Sequence, residues 1–206
     1  MDKLIDPIRN SVKHFMSILA KELNQLSRGK ITPNMITYIG LFAHFLIAYL
    51  IVVQKPILAS IALIIFGLFD SLDGQLARLQ KKANNAGMLL DATTDRMKEI
   101  IIYSALAYYF IDTNKAYFAV WVVLACGGSL LVSYVKAKGE TAVKDTQLTP
   151  NQINRLFSDG FLRYEIRMFF VIIGLLSGFV SYSVIAIAIL AWFTAIQRLI
   201  NITNKL

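Results

Sequence analysis

Cysteine is almost missing from this chain of 206 residues. The one present, Cys126, lies in an apolar run, so a single chain can build neither a disulfide framework nor a cysteine-based zinc site. Histidine is nearly as scarce: only His14 and His44 occur, and neither adjoins the acidic residues discussed below. Acidic residues are outnumbered, with 13 Asp and Glu against 21 Lys and Arg, for a net charge of +8. In a soluble protein that excess would suggest nucleic acid. Here the basic residues sit beside apolar runs, which reads as the cytoplasmic face of a membrane protein, and no nucleic-acid partner is expected. The N-terminus also lacks the apolar stretch and cleavage site of a secretory signal.

Apolar sequence is what the chain has in excess. It is 56% hydrophobic, with a mean hydropathy of +0.57, and the excess falls in long runs. That pattern predicts an all-α integral membrane protein. Six membrane spans are expected, at residues 35–54, 56–79, 88–111, 116–136, 161–180 and 182–203. Residues 1–31 differ. Leu4, Ile8, Val12, Phe15, Leu19, Leu23 and Leu26 recur at spacings of three and four with basic residues between them. This predicts an amphipathic helix on the membrane surface, ahead of a catalytic domain at 32–206. A helix packed on other protein is the competing reading.

Charge asymmetry orients the chain. An even number of spans puts both termini on one side, and that side holds all the Lys and Arg except Lys55 and Lys115. Both termini, and the acidic cluster with them, are therefore expected at the cytoplasmic face of the cell membrane.

The segment from Asp70 to Asp95 carries four aspartates between apolar stretches. Asp70 and Asp73 are three apart, and Asp91 and Asp95 are four apart, so on helices each pair shares a face. A polar connection ending at Gly87 allows two antiparallel helices to aim all four into one space. One aspartate at mid-membrane costs roughly 2.5–3.5 kcal/mol. Four together repel one another unless cations neutralise them. A pair of divalent ions is a common solution, and all-oxygen ligands favour Mg²⁺ or Mn²⁺ over zinc. Gly74, Ala77 and Gly87 leave room for a bulky ligand. Arg78 offers a planar cationic fork suited to phosphate, although a lone arginine there could simply snorkel to the interface. Metals, arginine and open backbone together suggest a diphosphate.

The wording "DSLDGQLAR", eight residues, then "GMLLDATTD" resembles the signature of the CDP-alcohol phosphotransferase family. Asp70, Asp73, Gly74, Ala77, Arg78, Gly87, Asp91 and Asp95 fill its eight fixed positions. At about one in twenty per position, chance would produce this roughly once in 10¹⁰ start positions. The resemblance implies transfer of a phosphoryl-alcohol group from a CDP-linked donor to a hydroxyl, with release of CMP. It implies that Asp70, Asp73 and Asp91 hold two metal ions and that Asp95 is the general base and touches the second ion. It implies a cytidine-diphosphate site formed by Asp70, Asp73, Gly74, Ala77, Arg78 and Gly87, and it implies a homodimer. "TPNMIT" at 32–37 is similar to the family's lead into its first span, where Asn34 and Thr37 would touch the nucleotide. Capping by Thr32, with Asn34 as a polar residue near the interface, is the alternative.

"LLDATTDRMKE" followed by "SYVKAKGE" is similar to the branch that makes phosphatidylinositol phosphate or its archaeal ether-lipid counterpart. The donor would then be a CDP-lipid and the small polar acceptor inositol phosphate. Lys136, Lys138, Arg163 and Arg167 could bind the acceptor phosphate, or could serve only as positive-inside anchors. Glycerol 3-phosphate, serine and inositol are alternative acceptors. A membrane cation transporter is the alternative from another class, but no acidic path continues toward the outer face.

Overall fold

A computed structural model of the chain describes residues 2–142 and 164–204, with side chains from Ser11 onward. Every regular element among them is an α-helix: α1 (Asp2–Leu26), α2 (Pro33–Val52), α3 (Pro56–Gly67), α4 (Phe69–Leu79), α5 (Asn85–Asp112), α6 (Phe118–Ala142), α7 (Tyr164–Ser177) and α8 (Val180–Thr203). α3 and α4 run on across Leu68 as one 24-residue rod, which makes seven helices in that count. The chain forms two compact units, Met1–Leu50 with Ile61–Ile102, and Ile51–Ser60 with Tyr103–Leu206.

Four of these helices are long and apolar enough to cross a membrane: Pro33–Val52, Pro56–Leu79, Phe118–Ala142 and Val180–Thr203. The expectation of six spans plus a surface helix is corrected accordingly, and both missing spans have a physical reason. α5 has the length, at 28 residues, but any 18-residue stretch of it includes Asp95, Arg96, Lys98 and Glu99. The described part of α7 has 14 residues, about 21 Å of helix against a hydrocarbon core of about 30 Å, and its first turn carries Glu165 and Arg167.

In the first unit, α1 ends where Arg28 and Gly29 take positive φ, at 52° and 74°. α2 then starts on a built-in signal: Thr32 Oγ1 accepts the Met35 N–H at 3.3 Å, and Pro33 fills the first helical position. Met16 and Ala20 of α1 are buried with Leu72 and Leu76 of α4 and Ile36 of α2, and Val12 and Leu23 pack at the margin. α1 therefore packs on protein along one side, while Phe15, Ile18, Leu19 and Leu26 remain exposed. Gln80, just past α4, donates to Asn24 Oδ1 at 2.9 Å and to the Ile31 carbonyl at 2.8 Å. The end of α1 and the turn after it are thus tied to the helix that carries Asp70 and Asp73.

The second unit is organised by the α6–α8 and α7–α8 contacts. Small residues let the backbones approach. A Cβ on Gly128 would meet Ala191 and Trp192 at 3.0 Å, and one on Gly174 would meet Ser183 Oγ at 2.5 Å. Trp192 Nε1 donates to the Leu124 carbonyl at 3.0 Å and Arg198 to that of Val132 at 2.8 Å.

Candidate active site

α4 carries Asp70 and Asp73 one turn apart, and α5 carries Asp91 and Asp95 in its second and third turns. The joint at Leu68, where the amide bonds three residues back to Ile65 at 3.3 Å, tightens the rod just before Asp70. α5 begins at an asparagine cap: Asn84 Oδ1 accepts the Gly87 N–H at 2.8 Å. Gly87 therefore serves the start of α5, whatever else it does.

Asp73 is buried and accepts a 2.6 Å hydrogen bond from Thr37 Oγ1 of α2. Thr37 is thus at the cluster, whereas Asn34 is exposed. Asp70 Oδ2 and Asp91 Oδ1 are buried with no hydrogen-bond partner. Leaving a carboxylate oxygen in that state is costly, and two such atoms suit the binding of a cation. Arg78 is exposed, with its guanidinium folded back to 3.7 Å from where a Gly74 Cβ would stand.

One residue at the centre was missing from the sequence reading. Lys98 of α5 is wholly buried and forms ion pairs with Asp70 of α4 and, at 3.3 Å, with Asp95. Next to it Arg96 pairs with buried Glu99 at 2.8 Å and stands 4.0 Å from Asp95. Gly40 of α2 faces the lysine: a Cβ there would stand 3.8 Å from Lys98 Cε and Nζ, in ordinary van der Waals contact. Counting charges had made Lys98 one more cytoplasmic anchor. The signal that could have found it is its spacing, three residues after Asp95 on one helix face. Among the described residues no three acidic, histidine or cysteine side chains close round a common point as a metal cage. The carboxylate oxygens fit a hard cation chemically, and the lysine ammonium sits among them.

Of the expected acceptor cations, Lys136, Lys138 and Arg167 fall in the second unit and in different environments. Lys136 is partly buried and lies 3.7 Å from Glu140. Lys138 is exposed, 5.8 Å over the Tyr134 ring. Arg167 is buried in α7. Arg163 lies outside the described residues.

The model of the CDP-alcohol phosphatidyltransferase family matches residues 30–197. The chain is 30% identical over 203 residues to the archaetidylinositol phosphate synthase of Pyrococcus horikoshii, covering 98% of each. It is 29% identical over 145 residues to the phosphatidylinositol phosphate synthase of Cutibacterium acnes, covering 66% of this chain and 69% of that one. In fold it is similar to the Mycobacterium tuberculosis phosphatidylinositol phosphate synthase with CDP-DAG bound, with a TM-score of 0.78 at 24% identity over 92% of this chain and 94% of that one. The same synthase in complex with manganese and citrate has a TM-score of 0.75 at 23% identity, over 91% and 88%. With its eight-position signature on α4 and α5 and the family match spanning most of its length, the chain belongs to the CDP-alcohol phosphatidyltransferase family, membrane enzymes that transfer a phosphatidyl group from a CDP-lipid.

Proposed function

We propose that this enzyme transfers the lipid-phosphoryl group to inositol phosphate, releasing CMP. The observation that carries this reading is the likeness, along nearly the whole chain, to an archaetidylinositol phosphate synthase. The acceptor hydroxyl oxygen forms the new bond to the lipid-bearing phosphorus, and the bond from that phosphorus to the CMP oxygen breaks. The hydroxyl proton passes to Asp95, the general base. Asp70, Asp73 and Asp91 would hold two Mg²⁺ or Mn²⁺ ions, with Asp95 reaching the second, and the bound ions supply neutralising charge for the diphosphate and the departing CMP. The orphaned oxygens of Asp70 and Asp91 support that assignment. Thr37 orients Asp73 through its hydrogen bond. Gly74, Ala77, Arg78, Gly87 and Asn34 line the nucleotide site with Thr37. Lys136, Lys138, Arg163 and Arg167 receive the acceptor phosphate.

The protein works in the cell membrane as a homodimer with its termini and site at the cytoplasmic face. Residues 1–31 rest on the membrane surface and 32–206 form the catalytic domain. The test is CMP release by the purified protein in nanodiscs, with CDP-diacylglycerol and with its archaeal ether analogue as donors. Inositol phosphate, glycerol 3-phosphate, serine and inositol are offered in turn. Preference for inositol phosphate is the expected result. Preference for any of the other three overturns the acceptor assignment.

A further inference from the structure

A lysine that is 0% exposed has lost its hydration and must find its partners inside the protein. Lys98 finds them on two helices, Asp70 of α4 and Asp95 of its own α5. One ammonium does not satisfy the cluster: Asp70 Oδ2 and Asp91 Oδ1 beside it remain buried and unpartnered. The burial of an ion pair is offset fully only when further hydrogen bonds satisfy the carboxylate's remaining lone pairs. Asp70 is bonded through one oxygen and orphaned at the other.

We propose, on the divalent-cation reading of this site, that Lys98 is a resident counter-ion. It bridges Asp70 and Asp95 in the cation-free protein and gives up Asp70 when a divalent ion binds, so that binding is an exchange of one cation for another. Both cations need the same carboxylate, and like charges at such range repel strongly in a partly dry site. Lysine suits the role better than arginine, because its charge is compact and its four-carbon stem flexible. Gly40 faces that stem from α2 without crowding it: even an added Cβ would stand 3.8 Å from Cε and Nζ. The ammonium keeps Asp95 as a partner during the exchange, which holds the base near the site while Asp70 changes hands.

The exchange makes a prediction opposite in sign to that of a purely structural lysine. Removing Lys98 removes a competitor, so divalent ions bind more tightly even as the cation-free protein becomes less heat-stable. The experiment titrates Mn²⁺ into the full-length protein in nanodiscs and reads the unbound ion by electron paramagnetic resonance. The variants are Lys98→Met and, keeping polarity without charge, Lys98→Gln. The expected result is a Kd for Mn²⁺ lower by about tenfold or more in both variants, with a lowered melting temperature that Mn²⁺ restores. Unchanged or weaker Mn²⁺ binding in folded variants overturns the exchange while leaving the cation site standing. Absence of Mn²⁺ binding to the wild type overturns the cation reading and the exchange with it. If neither variant folds, an experimental structure of the wild type with Mn²⁺ decides. Nζ withdrawn from Asp70 supports the exchange, and Nζ still bonded to Asp70 beside a bound ion overturns it.

Discussion

At the aspartate cluster α5 reaches α4 through charge: Lys98 spans Asp70 and Asp95, and two carboxylate oxygens stay unpartnered. In the second unit α6 meets α8 through missing side chains. Gly128 lies against Ala191 and Trp192, and Gly139 against Ile202, with no space left for a methyl group. The seam is held by close fit between the two helices. The cluster is incomplete and gains from any cation that reaches it. A seam of that kind contributes stability by dispersion, which depends on fit. A cluster of that kind costs stability, and the rest of the fold must hold it together.

Breaking the chemistry at the cluster has the largest expected effect. Excess chelator should abolish CMP release, and full turnover in its presence would end the divalent-cation reading. Asp95→Asn keeps the size and one oxygen but cannot take the proton, so turnover should fall by about 10²–10⁴-fold while CDP-lipid binding persists. A fall of less than about threefold would argue against Asp95 as base. Next comes the acceptor. Arg167→Gln should raise the KM for inositol phosphate by about 10–150-fold and that for the CDP-lipid far less. Equal KM values in wild type and variant would return Arg167 to a packing role.

Two smaller substitutions match in size and differ in meaning. Gly174→Ala forces a methyl to within 2.8 Å of Ser183 Cβ and 3.2 Å of Val180 Cα. It should cost about 1–3 kcal/mol in thermal unfolding and leave Mn²⁺ affinity alone. Thr37→Val strips a 2.6 Å hydrogen bond from buried Asp73. It should cost about 1.5–3 kcal/mol and change Mn²⁺ affinity as well. The contrast between close-packed glycine contacts, of which Gly174 on α7 is a second example, and the cluster dissolves if both variants shift Mn²⁺ binding equally. The smallest effect belongs to Asn34→Ala. Its side chain is exposed, so the donor KM should rise by only about threefold, and an unchanged donor KM would remove it from the nucleotide site.

Four of the membrane helices were readable as apolar runs, because burial in lipid needs only length and hydropathy. α5 was misread as a span for the converse reason. Its apolar C-terminal half, "IIIYSALAYYFI", masked a charged N-terminal half that the aspartates require. The expected span at 161–180 also ran through a turn: the helix ends at Ser177, where Gly178 takes φ of 77°. The aspartates were legible because their spacing repeats a helix face. Lys98 was not, since a single lysine carries the same letter whether it anchors at a lipid surface or lies wholly buried between two carboxylates. Only the third dimension separates those cases: Asp70, 28 positions earlier in the chain, is what Lys98 reaches across to.

The tie from Gln80 to Asn24 spans 56 positions of sequence. A ribosome adding about 5–20 residues per second needs about 3–11 s to cover that distance. For that interval Met16 and Ala20 have been made and their packing partners Leu72 and Leu76 have not. α1 must therefore wait, with its apolar side uncovered, for the helix that will carry the aspartates. A bilayer surface beside the exit site is where such a segment can wait without aggregating.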